Sequence, residues 1–137
     1  MQSLGVELAA RLKAGDLILL NGSLGAGKTS LVQGIGKGLG IEEITSPTFV
    51  IARTYQGVIP LIHVDAYRLV GEAFAIFDEL DLESQMGGAI TIIEWGDGFV
   101  ERLSDEYLEI QLSFGDEESD RILSAIGHGL RWAGFEL

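Results

Sequence analysis

Leu4, Leu8 and Leu12 recur every fourth residue, which predicts a first helix of about three turns, capped by Ser3 and stopped at Gly15. The pattern then changes. Between Asp16 and Asn21, Leu17, Ile18, Leu19 and Leu20 form a continuous apolar run with no polar face, as expected of a strand buried on both sides of a parallel sheet. After a glycine-rich stretch, Leu31, Val32, Ile35 and Leu39 return to helical spacing from Lys28 to a stop at Gly40. Gly34, Gly36 and Gly38 each cost such a helix about 1 kcal/mol relative to alanine. They are read as allowing close approach to the sheet.

Farther along, Thr48–Tyr55 and Leu61–Asp65 are β-rich and flank a turn at Gly57, so they predict a hairpin-like pair. Ala73–Leu80 reads as a short amphipathic helix, Ala89–Ile93 as a second buried strand ending in Glu94 and Trp95, and Phe99–Leu103 as a short helix. From Tyr107 to Phe114 the chain alternates, with Leu108, Ile110, Leu112 and Phe114 on one face and Glu109, Gln111 and Ser113 on the other. A turn at Gly115–Glu118 leads into Arg121–Ile126, a closing antiparallel hairpin, with a short tail around Leu130–Trp132. The expected fold is a single α/β domain over residues 1–137: a sheet with a mainly parallel core, antiparallel hairpin additions and flanking helices.

Gly22, Ser23, Leu24, Gly25, Ala26, Gly27, Lys28 and Thr29 satisfy the G-x-x-x-x-G-K-[ST] pattern, between a predicted strand and a predicted helix, so the expected sheet is P-loop NTPase-like. In such a loop the backbone N–H groups of positions 22–30, Ser30 included, curl around phosphate oxygens. Lys28 reaches the β and γ phosphates of ATP, and the Thr29 hydroxyl binds Mg²⁺. This chemistry also requires a carboxylate at the end of an apolar strand, and the chain offers two, Asp65 and Glu94; spacing alone does not assign metal and water-orienting roles between them. Alternation puts Leu61, His63 and Asp65 on one face, so His63 is an auxiliary candidate beside its more ordinary reading as a core or edge histidine. Arg68 is a second auxiliary candidate, for transition-state charge or for pairing with Asp65. Trp95 is a third, for covering the site or for plain packing.

Composition sharpens the picture. The 137 residues hold 9 Lys plus Arg against 21 Asp plus Glu, a net charge of −12, which opposes direct binding to a nucleic-acid phosphate backbone by this chain alone. With 47% hydrophobic residues the acidity does not signal disorder. The charge is uneven: residues 1–71 sum to +1, 72–120 to −14 and 121–137 to +1, so the phosphate loop lies in a nearly neutral stretch. The acidic stretch reads as a solvated surface or, more sharply, as a docking face for a basic partner around Glu117 and Glu118. There are no cysteines, and the only histidines are His63 and His128, so any bound metal is expected to be a hard, oxygen-liganded ion. No signal peptide or membrane span is indicated, and a cytoplasmic location is expected.

Taken as a set, the loop motif GSLGAGKTS, ITSPTF at 44–49, HVDAYRL at 63–69 and IIEWGD at 92–97 resemble the TsaE (YjeE) family, in the family's order and over essentially the whole chain. The resemblance implies a Mg²⁺-dependent ATPase that supports threonylcarbamoyl transfer to tRNA adenosine by a TsaB–TsaD complex, without itself transferring the group. It implies phosphate and metal roles for Lys28 and Thr29, acidic roles for Asp65 and Glu94, and a switch-like segment at Ser46, Pro47 and Thr48. The expected mechanism places Mg²⁺ on Thr29 and Glu94 and lets Asp65 organise the attacking water or the switch. The family usually has Asp where this chain has Ser23, which removes a charge beside the nucleotide. A small-molecule kinase is the first alternative, although acids dominate the segment after Arg68, and a nucleotide-gated binding module is the second. A GTPase is less attractive because no N-K-x-D base-reading signature is present.

Overall fold

The computed structural model describes residues 1–22, 26–44, 52–66, 81–95, 100–117 and 120–137. Six strands form one sheet: β1 (Leu17–Gly22), β2 (Ala52–Tyr55), β3 (Leu61–Asp65), β4 (Ile90–Glu94), β5 (Tyr107–Phe114) and β6 (Arg121–His128), in the order β2-β3-β4-β1-β5-β6. β3, β4, β1 and β5 are mutually parallel, and β2 and β6 pair antiparallel at the two edges. The parallel core and both antiparallel additions agree with the sequence reading.

One face of the sheet carries Ile18, Leu20, Leu61, Ile92, Ile110 and their neighbours, and packs against α1 (Gln2–Ala9) and α2 (Lys28–Gly38). The other buries Leu17, Leu19, Ile62, Val64 and Ile93 with Val100 of α4 (Val100–Leu103). Between them in the chain, α3 (Leu82–Gln85) and a short 3₁₀ turn (Met86–Gly88) lead into β4. Two-sided burial explains why β1 reads as an unbroken apolar run.

Several expectations are corrected. The first helix begins at Gln2, with Met1 at its cap position, so Ser3 is inside the helix and does not cap it. It is also shorter than expected, because Arg11 and Leu12 bond back three residues, to Leu8 and Ala9, and tighten the last turn. Leu12 nevertheless stays in the core. Helix α2 ends in a Schellman motif: Gly40 has φ +81°, its N–H donates to the Lys37 carbonyl, and the Ile41 N–H donates to that of Gly36. Phe114 was expected on the buried face but is 43% exposed. β1 stops at Gly22, opposite Leu112, leaving Phe114 beyond the sheet's covered part, where the Arg121 guanidinium lies 4.3 Å from its ring centroid. β6 continues past Ile126 to His128, whose ring stacks on Tyr107 at 4.2 Å. The predicted helix at 73–80 and the first part of the strand predicted at 48–55 lie outside the described residues.

The glycines of α2 serve a different contact from the one expected. A Cβ on Gly34 would collide with the Gln2 carbonyl, and one on Gly38 would come within 2.6 Å of Ala9 Cβ; a Cβ on Gly36 would collide with the Ile44 side chain. From the facing helix, a Cβ on Gly5 would lie 2.5 Å from the Leu31 carbonyl. At Gly34 and Gly38 the close approach is therefore between α1 and α2, and at Gly36 it is between α2 and the segment that follows it, not between α2 and the sheet. The C-terminal segment is fastened separately. Arg131 donates Nε and a terminal nitrogen to the two carboxylate oxygens of buried Asp16, both at 2.9 Å, while Trp132 enters the core beneath α1 and α2.

Gly34→Ala provides a test, because an alanine in an open helix stabilises by about 1 kcal/mol whereas overpacking costs about 1–3 kcal/mol. The variant should have a lower urea midpoint than the wild type. A higher midpoint would show that the two helices do not meet at this position.

Candidate functional site

β1, β4 and β3 are adjacent and parallel, so their C-terminal ends reach the same edge. The register sets Leu20 opposite Glu94 and Glu94 opposite Asp65; β1 ends at Gly22 and α2 starts at Lys28. The carboxyl edge of an open parallel sheet is where such folds bind ligands. Gly27, at φ +107°, occupies the cap position of α2 in a conformation that a side chain would strain. The first intrahelical bond runs from the Leu31 N–H to the Gly27 carbonyl, so the leading N–H groups and the positive end of the helix dipole point out of the helix start.

Lys28, the first residue of α2, is buried over this edge. Its ammonium donates to the Gly22 carbonyl at 2.9 Å, stands 4.0 Å from Glu94 Oε1 and lies 3.8 Å from the centroid of the Trp95 ring. Burial pushes the Lys28 amine below the usual lysine range, and the carboxylates of Glu94 and Asp65 oppose that shift. A phosphate would supply further negative charge at a cation already taken from water.

Glu94 closes β4 and is only 8% exposed. Its Oε2 accepts a 2.6 Å hydrogen bond from His63 Nε2, which comes from the middle of β3 and is 1% exposed. An ionised carboxylate can only accept, so Nε2 carries the proton in this pair. His63 Nδ1 is buried without a hydrogen-bond partner among the described residues. A polar atom in that condition ordinarily costs about 1–3 kcal/mol. Asp65 ends β3 and is partly buried beside Glu94.

Trp95 follows at φ +61°, a left-handed conformation rare for a bulky residue and a form of strain that concentrates at functional sites. With 42% exposure it is not a core aromatic; its ring covers the Lys28 ammonium, a contact worth about 0.5–2 kcal/mol.

The structure thus gathers Gly22, Ala26, Gly27, Lys28, Thr29, Ser30, His63, Asp65, Glu94 and Trp95 around one edge of the sheet. Ser23, Leu24, Gly25, Ser46, Pro47, Thr48 and Arg68 lie outside the described residues. Sequence reasoning placed His63 near the site but did not pair it with Glu94. Alternation in the sequence puts His63 on the face of Asp65, but its pairing with Glu94 follows only from the strand register, which sets Asp65 level with Glu94 and His63 level with Ile92.

The donor set suits a polyphosphate with a hard cation. It has a lysine, a helix start, a threonine hydroxyl and strand-end carboxylates, and no group of three or more His, Cys, Asp or Glu able to hold a metal occurs among the described residues. A cation such as Mg²⁺ would draw its remaining ligands from phosphate oxygens and water, as that ion commonly does.

Residues 1–123 match the family model described as "Threonylcarbamoyl adenosine biosynthesis protein TsaE". The chain belongs to the TsaE family. It is 44% identical to the Streptomyces coelicolor tRNA threonylcarbamoyladenosine biosynthesis protein TsaE, over 97% of this chain and 94% of that protein. The TsaE protein of Bacillus subtilis is 40% identical over 88% of this chain and 76% of the relative. Among solved structures, Bacillus subtilis YdiB superposes with a TM-score of 0.78 at 33% identity, covering 96% of this chain and 81% of that one. The match agrees with the P-loop NTPase-like α/β fold read from the sequence, and it places the chain in a family of tRNA threonylcarbamoyladenosine biosynthesis. Among the described residues, no helix is long and apolar enough to cross a membrane.

The contact between Lys28 and Trp95 predicts an optical signal for this TsaE-family chain. A nucleoside triphosphate that draws the ammonium away from the ring should change the tryptophan emission, and Trp95→Phe should abolish the change, because Trp132 is 1% exposed within the core. An equal change in Trp95→Phe would contradict the assignment.

Proposed function

We propose that the chain binds ATP with Mg²⁺ and hydrolyses it in support of threonylcarbamoyl transfer to tRNA adenosine by a TsaB–TsaD complex, in the cytoplasm. The observation that carries this reading is the buried Lys28 at the start of α2, faced by Glu94 and Asp65 from the two neighbouring strand ends. Bound Mg²⁺ would neutralise charge on the phosphates; Thr29 and Glu94 are the residues that would hold it.

The protein's own groups account for the rest. The leading N–H groups of α2 and the loop before it cradle the phosphates, and Lys28 exchanges the Gly22 carbonyl and the Trp95 ring for β and γ phosphate oxygens. Asp65, level with Glu94 on the adjacent strand, orients the attacking water or the 46–48 segment. Water attacks the γ phosphorus in line, the bond from phosphorus to the bridging oxygen breaks, and ADP and orthophosphate leave. Catalysis of this kind is positioning and charge stabilisation, and cations near the motifs are few beyond Lys28, Arg53 and Arg68, so slow turnover by the isolated chain is expected. A partner that orders the switch-like segment or supplies a cation would accelerate it.

The same shortage of cations favours a second reading, a nucleotide-gated binding module whose hydrolysis is incidental. Glu94→Ala separates the two: the module reading expects it to sustain tRNA modification, and the ATPase reading expects modification to be lost. A kinase would instead pass phosphate to an added metabolite.

Orthophosphate release should be slow for the isolated wild type and rise when a TsaB–TsaD complex is added. Lys28→Ala should reduce it by about 10²-fold or more in both conditions, the usual scale for losing a charge-stabilising donor. Unchanged hydrolysis in Lys28→Ala would refute the site.

A further inference from the structure

The bond between His63 and Glu94 has a consequence beyond packing. His63 sits in a central part of β3, with Ile92 of β4 on one side and Arg53 of β2 on the other in the sheet register. Were filling space its only task, an aliphatic side chain would serve better at a position 1% exposed, since His63 leaves Nδ1 without a partner among the described residues. Its other nitrogen makes a short bond, 2.6 Å, to one oxygen of the strand-end carboxylate.

That bond divides the work of the two Glu94 oxygens. Oε2 is taken by the imidazole, and Oε1 is the oxygen left facing Lys28, 4.0 Å from its ammonium. A glutamate at a strand end has three side-chain torsions, and tying one oxygen from behind leaves few orientations for the other. The choice of histidine fits this task. An arginine in its place would bring a longer, forked donor able to take both carboxylate oxygens, whereas the single imidazole Nε2 takes Oε2 and leaves Oε1 facing Lys28.

We infer that His63 is a positioning residue that fixes the Glu94 carboxylate so that Oε1 faces the phosphate-binding edge. The inference rests on the proposed ATP and Mg²⁺ reading of that site. Partners behind a metal-side ligand typically change metal affinity or activity by about 10–100-fold when removed.

The test compares His63→Leu, which fills the space without a donor, with His63→Gln, whose amide nitrogen can reach the place of Nε2, and with His63→Asn, whose amide is too short. ATP affinity is measured by calorimetry with and without Mg²⁺, alongside kcat and KM for hydrolysis with a TsaB–TsaD complex and thermal unfolding. For His63→Leu the account expects unchanged ATP affinity without Mg²⁺, a loss of about tenfold or more in the gain that Mg²⁺ gives, and a fall in kcat at constant KM. His63→Gln should recover most of both losses, and His63→Asn should not. If His63→Leu does not fold, the contrast between Gln and Asn decides the matter alone. Equal behaviour of all folded variants and wild type, or of Gln and Asn, would overturn the positioning role. A wild type that binds no ATP at all would instead overturn the reading of the site on which the role rests.

Discussion

The parallel pairing of β1 with β4 and of β4 with β3 fixes almost everything that the site can do. Because Leu20, Glu94 and Asp65 share one level of the sheet, the end of β1 and two carboxylates meet at one edge without any long side chain having to reach. A slip of one residue in β4 would turn Glu94 to the other face and break its contacts with both Lys28 and His63. What holds the register is burial. Ile18, Ile90 and Ile92 on one face, and Leu17, Leu19 and Ile93 on the other, are essentially inaccessible to water, so any slip would expose apolar surface or bury polar groups.

Charge is organised at two scales. The chain as a whole carries −12, yet among the described residues the carboxylates that act on Lys28 are Glu94 and Asp65. At about 8 Å of screening length in physiological salt, the near groups outweigh the distant ones for a bound phosphate. Locally, the ammonium is held by a carbonyl, an indole face and the field of two carboxylates, while burial works against its charge. A cation kept in this manner is poised to exchange weak neutral partners for phosphate oxygens. The α1–α2 contact keeps that arrangement in place from behind, because Gly5 and Gly34 let the two helices close on each other and α2 carries Lys28 at its start.

Much of this was legible in the sequence, for physical reasons that differ by element. β1 was clear because burial on both faces leaves no polar position, and the strand and helix that flank the glycine, lysine and threonine motif were clear because each carries its own apolar pattern. The strand-end acids could be named without assigning their roles, since spacing does not report which oxygen faces which cation. Helix ends were less legible: Ser3 has the chemistry of a cap, yet the helix starts before it. The partner of the α2 glycines was hidden too, because a small residue announces close approach but not what approaches. His63 illustrates the same limit. Alternation put it on the correct face, and only the inter-strand register shows that its partner is Glu94.

The central claim is that this sheet edge is a phosphate site in which Lys28 changes partners and Glu94 faces the metal. A crystal structure with Mg²⁺ and a non-hydrolysable ATP analogue tests it most directly. The account predicts Lys28 Nζ on the β and γ phosphate oxygens and away from the Gly22 carbonyl and the Trp95 ring, with the metal beside the Thr29 hydroxyl and on the Oε1 side of Glu94. Phosphates bound elsewhere, or bound here with Lys28 still on Gly22 and Trp95, would contradict it.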